Sequence, residues 1–363
     1  MKRCVRCIMP STVPGITFRD GVCSLCRDYV QSEFQGEAAL RQILSSGGPG
    51  RNGYDCLVPV SGGRDSTYVL YLVKTVFGKR PLAVNYDNEF RNPQAVRNLE
   101  NACRILGVDL RVVRSKHDVA TQIMKANVKA AVPRGMGELA RAFCRQCAYG
   151  YHSAIFIEAE KAGVPMILWG SSPAESTKKT RELALNGMVG SKWAKLFDVN
   201  FYLTEYLSIK QRLEFPVEGN SRFGRGDPQL HNTAIREISV FDYVPWDRQK
   251  IKETIAGELG WIKPAGYVST WRTDCLLHEI VNFFYVKAVG CTQDCMGYCN
   301  MINDGQMTRE EALAQEEAAI QTPWEHIARM LAEHVGLSPK DIARIGAMQA
   351  AVKPEREELL TAE

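Results

Sequence analysis

Two sets of residues in this chain are spaced for chemistry: a glycine-rich turn that can cradle phosphate, and paired cysteines that can hold metal. The turn lies in YDCLVPVSGGRDST, residues 54–67. Leu57, Val58 and Val60 form an apolar, β-branched run that reads as a buried strand, and the apolar run from Thr67 reads as a helix. Ser61, Gly62 and Gly63 stand between them. A strand that breaks at paired glycines and re-enters as a helix aims several backbone N–H groups at one spot, where the helix dipole favours an anion. Ser61 and Ser66 can add hydroxyl donors. Asp65 repels phosphate, so it either caps the helix or holds Mg²⁺.

Cys4-x2-Cys7 is followed, after fifteen residues, by Cys23-x2-Cys26. That spacing predicts a zinc ribbon over residues 1–30, two knuckles each giving two thiolates to a tetrahedral ion; free buried cysteines are the alternative. Four protein ligands leave no open position, so this zinc is expected to be structural. A unit this short has too little core to fold without such a staple. Cys144-x2-Cys147, Cys275 and Cys291-x3-Cys295-x3-Cys299 make up three further groups. Cys144 and Cys147 could be small buried hydrophobes, redox-active thiols, or ligands of a metal or cluster. Cys291, Cys295 and Cys299 fall near one helical face and are one ligand short; His278 or Cys275 could complete the set.

The turn is not the Walker pattern, because no Gly-Lys-Ser/Thr follows the second glycine. S-G-G-x-D-S resembles instead the PP-loop of the ATP pyrophosphatases, which cut ATP between its α and β phosphates. The resemblance implies that Ser61, Gly62, Gly63, Asp65 and Ser66 bind ATP with Mg²⁺. Arg64 has a phosphate contact open to it, and Thr67 belongs to the same nucleotide-binding set. On this reading Asp65→Ala stops pyrophosphate release and leaves the fold intact.

The elements that must position these residues alternate. After a helix over 37–45, the loop SSGGPGRNG marks a boundary near residue 50. Strands are expected at 54–60, 82–86, 110–114 and 166–169. Helices are expected at 66–77, 93–106, 118–132 and 149–162. Such alternation implies a parallel α/β sheet covered on both faces, with ligands beyond the carboxyl ends of its strands. That puts the 61–67 turn, Asp87 and Gly170 at one cleft mouth; Asp87 is read as a nucleotide contact or as a solvated carboxylate. Lys178, Lys179 and Arg181, and Arg222 with Arg225, are solvated faces or holders of a diphosphate. The PP-loop domain is taken as 50–300 and an all-helical region as 301–363. In the latter, Thr308-x-x-Glu311 reads as a capping box, Ser338-Pro339 as a helix start, and Trp324, Ile327, Leu331 and Val335 as a packing stripe.

Composition sets the outer bounds. The 363 residues are 45% hydrophobic and 24% charged, as in a soluble globular protein. A net charge of +4 argues weakly against nucleic acid and gives no basis for a membrane partner. No apolar run reaches membrane length and the start is no signal peptide, so a cytoplasmic protein is expected. Twelve cysteines in a reducing compartment point to metal ligands or reactive thiols before disulfides.

Three segments carry a closer resemblance: CVRCIMPSTVPGITF…GVCSLC, YDCLVPVSGGRDST, and GQMTREEAL at 305–313. Together they look like the N-acetyl sugar amidotransferases, PP-loop enzymes of surface-polysaccharide biosynthesis. The resemblance implies adenylation of an acetamido oxygen on a nucleotide-linked N-acetyl sugar, then displacement of AMP by ammonia. The ammonia would come from a glutaminase partner, often through a cyclase-like subunit. Cys144, Cys147 and Cys275 depart from that pattern. They resemble the PP-loop sulfurtransferases that thiolate tRNA, whose Cys-x2-Cys and third cysteine hold a [4Fe-4S] cluster with one open iron. Both reactions share the adenylated intermediate, so the nucleophile stays open between nitrogen and sulfur. A third reading is a non-catalytic zinc-ribbon binding module that keeps an ATP fold; the intact loop speaks against it.

Overall fold

The computed structural model describes residues 2–31, 33–50, 52–114, 119–172 and 235–351. The chain begins with a two-stranded antiparallel ribbon, β1 (Phe18–Arg19) and β2 (Val22–Cys23), and a short helix α1 (Ser24–Arg27). Gly21 turns the ribbon at φ +71°. Helix α2 (Glu37–Ser46) leads into the sheet.

Five strands then pair in parallel: β3 (Cys56–Pro59), β4 (Pro81–Asp87), β5 (Leu110–Arg114), β6 (Met166–Trp169) and β7 (Arg236–Ser239), in the order β5-β4-β3-β6-β7. The chain leaves β3 toward β4 and β5, then returns to the other side of β3 as β6. The switch point therefore lies between β3 and β6, at the carboxyl ends of both. Four of these strands agree with the sequence expectation. β7 does not appear there, because REIS alternates only briefly and lies outside the βα rhythm.

Helix α3 (Arg64–Tyr71) runs on into a π-helical turn, Leu72–Val76. It begins two residues before the expected 66. Helix α4 (Pro93–Leu106) has sequence-encoded ends: the Asn92 side chain accepts from the Gln94 N–H, Pro93 occupies the first turn, and Gly107 closes the helix at φ +59°. Helices α5 (Val119–Ala131), α6 (Met136–Ala142) and α7 (Cys144–Ala162) follow. α7 starts five residues before the expected 149, so Cys144 and Cys147 are helical and not in the preceding loop.

Beyond β7, helices span Arg248–Leu259, His278–Val289, Cys295–Asn303, Arg309–Ile320, Trp324–Met330 and Pro339–Ala351. The capping box of Thr308 and Glu311 forms as expected, and the Ser338 hydroxyl accepts from the Asp341 N–H. Residue 300, read as a domain boundary, falls inside Cys295–Asn303. Lys178, Lys179, Arg181, Arg222 and Arg225 lie outside the described residues. No helix among the described residues is long and apolar enough to cross a membrane.

The cores explain the assembly. One contiguous core joins the ribbon (Cys4, Ile8, Met9, Cys26) to the sheet and α3 (Val58, Val69, Leu70) and to Cys295, Cys299 and Met301. The ribbon shares this core with the sheet. Ile8 and Met9 are fully buried, and a unit that small has no second layer of its own to cover them. A second core gathers α5, α6 and His278–Val289 with Ile327, Leu331 and Val335, and Trp324 packs against its edge. A third lies under α7 on the opposite sheet face, around Leu57, Ile155 and Ile167.

Candidate active site

The Val60 N–H still donates to Val84 O (2.9 Å), and immediately beyond it the backbone turns. Gly62 sits at φ +81°, and a Cβ there would lie 1.9 Å from the Ala95 carbonyl oxygen of α4. Only glycine meets both conditions. The Trp261 indole N–H donates to Gly62 O (3.0 Å), which holds the turn from its other side. The Ser61 N–H donates to Ser66 Oγ (3.1 Å), the two hydroxyls stand 3.1 Å apart, and the Gly63 N–H reaches Ser61 Oγ at 3.2 Å. Thr67 is spent inside the turn, its hydroxyl bonded to Gly63 O (2.7 Å). The first-turn amides of Arg64, Asp65 and Ser66 have no preceding helical carbonyl to bond, so α3 presents a row of orphan donors. Gly170, at the end of β6, lets that strand touch α3: a Cβ there would lie 3.2 Å from the Ser66 amide nitrogen.

Arg64 and Asp65 depart from expectation. The Arg64 guanidinium donates to both Asp65 oxygens (2.8 Å each) and to Thr270 Oγ1 (3.0 Å), and lies over the Trp246 ring. It is buried, with its guanidinium turned to Asp65, Thr270 and Trp246. The Trp246 indole N–H takes Asp65 Oδ1 as well (3.1 Å). Asp65 therefore neither caps α3, whose N-cap is Gly63, nor has an oxygen turned to a metal. The residues present do not fit the Mg²⁺ role read for Asp65. Its removal would also not leave the fold intact, because it balances a buried guanidinium.

Asp87 ends β4 and accepts from Arg91 through both oxygens (3.0 and 2.8 Å). Arg91 also donates to Asn85 Oδ1 (2.9 Å), and the Asn85 amide donates to Val60 O (2.6 Å). Asp87 aims Arg91 and ties β4 to the loop. Asp87, Glu89, Arg91, Arg97 and Arg114 line an open cleft of about 640 Å³ beside this chain of bonds.

Asp274 was missed from sequence. A side-chain carbon on Gly63 would lie 3.8 Å from its carboxylate oxygen, and its carbonyl accepts from the Asn92 N–H, just before α4. Nothing local in TDCLL marks it, since the contact spans some two hundred residues of chain.

The open cysteine group gathers near the same mouth. The Asn88 amide lies 3.6 Å from Cys147 Sγ and 3.8 Å from Cys275 Sγ. Cys144 is exposed, three residues before Cys147 on the same face of α7. Burial pushes the Cys147 thiol up to about 12, and Cys275 is raised for the same reason. Cys144 and Cys147 both act electrostatically on the Cys275 thiol, so the three lie in one neighbourhood.

The ribbon is different in kind. Cys4, Cys7, Cys23 and Cys26 are all buried with their sulfurs within 4.8 Å of one another. Cys4–Cys26 is 3.9 Å and Cys7–Cys23 is 3.6 Å. Metal–sulfur bonds of about 2.3 Å in a tetrahedron require sulfur separations of about 3.8 Å, so the donor set fits one zinc ion. The third group is not completed as expected. His278 bonds Asp294 (3.1 Å) and Cys275 lies at Asn88. Cys291 and Cys295 meet Glu316 instead.

The fold and site together define an α/β protein with a five-stranded parallel sheet and a glycine-rich strand–helix turn at its switch point. No family model matches the chain. Over 120 residues it is 28% identical to an uncharacterised protein of Methanocaldococcus jannaschii, a match covering 31% of this chain and 42% of that relative. The chain thus spans less than half the length of the curated relative it matches. Among solved structures, the NMN synthetase of Francisella tularensis aligns with a TM-score of 0.36 at 12% identity, covering 83% of this chain and 94% of its own. The U34-tRNA thiolase NcsA of Methanococcus maripaludis, solved with its [4Fe-4S] cluster, aligns with a TM-score of 0.34 at 12% identity, covering 99% and 90%. Likenesses at these scores assign no activity to this chain.

Proposed function

We propose that the chain is a PP-loop ATP pyrophosphatase that adenylates a carbonyl oxygen, releases pyrophosphate and passes the activated carbon to ammonia. The observation that carries this reading is the Ser61-Gly62-Gly63 turn at the β3/β6 switch point, where the Ser61 and Ser66 hydroxyls meet at the N-terminus of α3. An amide oxygen is a very poor leaving group. Its attack on the α-phosphorus of ATP expels pyrophosphate and converts it to AMP, a good one. Ammonia then adds to the carbon, AMP departs with the C–O bond electrons, and an acetamidine remains after proton loss. The chain's share is positioning and charge: backbone N–H groups and Ser61 and Ser66 on the phosphates, Arg91 held ready by Asp87. Mg²⁺ arriving with ATP would neutralise the departing phosphates. The resemblance of three segments to N-acetyl sugar amidotransferases supports a nucleotide-linked N-acetyl sugar as acceptor and a glutaminase partner as ammonia source.

One observation favours a second reading, sulfur transfer after the same activation. Cys147 and Cys275 converge on Asn88 at the cleft mouth, with Cys144 one turn away. These three would hold a [4Fe-4S] cluster, which would supply the site for sulfur delivery.

Acceptor-dependent pyrophosphate release tests the shared step. Ser66→Ala is expected to cut it at least about tenfold, in line with removal of a single transition-state donor; unchanged release would sink the PP-loop reading. Iron and acid-labile sulfide in protein purified without oxygen then separate the nucleophiles. Four irons lost in Cys144→Ala select sulfur, and iron-free active protein selects ammonia.

A further inference from the structure

The ribbon packs against a second cluster of metal-ligating residues that the proposed chemistry does not use. Cys291 follows Gly290, which turns the chain at φ +80°. Cys295 opens the helix Cys295–Asn303, where the helix N-terminus favours a thiolate. Glu316 comes from the helix Arg309–Ile320 and is fully buried. The two sulfurs and a Glu316 oxygen lie within 4.8 Å of one another. The Cys299 thiol contacts that of Cys295 and also that of Cys7 in the ribbon.

Glu316 is the informative member. A carboxylate is almost never fully buried unless it is paired or ligates a metal. The Thr292 N–H and hydroxyl each donate to one of its oxygens (2.6 Å both), fixing the carboxylate's orientation as outer partners fix a metal ligand. Small buried cysteines packing as hydrophobes would gain nothing from a carboxylate among them.

We propose that Cys291, Cys295 and Glu316 form a second zinc site within the C-terminal helices, packed against the ribbon. The charges close on this assignment. Two thiolates and a carboxylate carry three negative charges; the buried Arg3, which interacts with all three groups, cancels one, and a divalent cation cancels the other two. Thiolate and carboxylate donors in a tetrahedral set suit zinc. The ion would tie the helix Cys295–Asn303 to the helix Arg309–Ile320, on the side where Cys299 meets Cys7 of the ribbon.

The full-length protein, purified as it is and assayed for metals by mass spectrometry, is expected to hold two zinc ions per chain. Glu316→Gln and Cys295→Ser are each expected to lose one and keep the other. Should those variants fail to fold, X-ray absorption at the zinc edge of the unaltered protein decides. A mixed sulfur and oxygen shell supports the site, and a shell of four sulfurs alone overturns it. One zinc per chain in the unaltered protein, lost in Cys4→Ser, also overturns it, as does an intact mass showing a Cys291–Cys295 disulfide. None of these readouts depends on ATP chemistry or on iron.

Discussion

Arg64 and Asp65 are neighbours in the motif, and their side chains pair beneath Trp246 instead of facing the cleft. Arg64 is 3% exposed, so the pair is a buried one. Breaking a buried ion pair from one side strands the other charge, at a cost of about 3–5 kcal/mol. Asp65→Ala is therefore expected to lower unfolding stability by that amount, read from urea titration, as well as to lower activity. An Asp65→Ala protein as stable as the parent would show that Arg64 finds another counter-charge. Legibility at this scale was uneven. Ser61 and Ser66 meet in the turn because their contacts are within six residues of chain. Thr270, Trp246 and Trp261 approach the loop from some two hundred residues away, and no local pattern announces them.

At the scale of elements, the loop is a joint between two helices and two strands. Gly62 lies against the first turn of α4, and Gly170 lies against the first turn of α3. A side chain at 62 must displace the Ala95 carbonyl or move the turn out of the left-handed region. Gly62→Ala is expected to cost on the order of 1–3 kcal/mol of stability from backbone strain alone. It is also expected to abolish acceptor-dependent pyrophosphate release while the circular-dichroism spectrum stays unchanged. Retained release would mean the turn does not hold phosphate. The helices with caps written into the chain were readable, α4 through Asn92, Pro93 and Gly107 and Arg309–Ile320 through Thr308 and Glu311. The start of α7 was not, because Phe143 at its N-cap offers no side-chain cap and gives no stop to read.

Among the described residues, the first core ties the ribbon to the rest of the fold. Ribbon cysteines, sheet residues and C-terminal helices share it, and Arg309 donates to the Cys7 carbonyl (3.0 Å) while Tyr29 reaches Asp304 (2.8 Å). Removing the ribbon metal should therefore not melt the ribbon alone. Chelation, or Cys4→Ser, is expected to lower the single melting transition of the whole chain by on the order of 10 °C, since a few kcal/mol moves a domain of this size that far. A separate low-temperature transition in calorimetry, with the main one unmoved, would show an independent ribbon.

What depends on neighbours along the chain was legible in the residues: the strand–turn–helix of the loop, the strand–helix rhythm of the sheet, the paired cysteines, and the capped helix ends. These are set by backbone hydrogen bonding, side-chain periodicity and φ preferences acting over a few residues. Tertiary structure alone decided which charges meet. It buried Arg64 against Asp65, turned Asp87 onto Arg91, brought Asp274 to the loop, and set Glu316 among the cysteines. Each of these depends on desolvation and on partners distant in sequence, and a charged group's role follows from what the fold buries beside it.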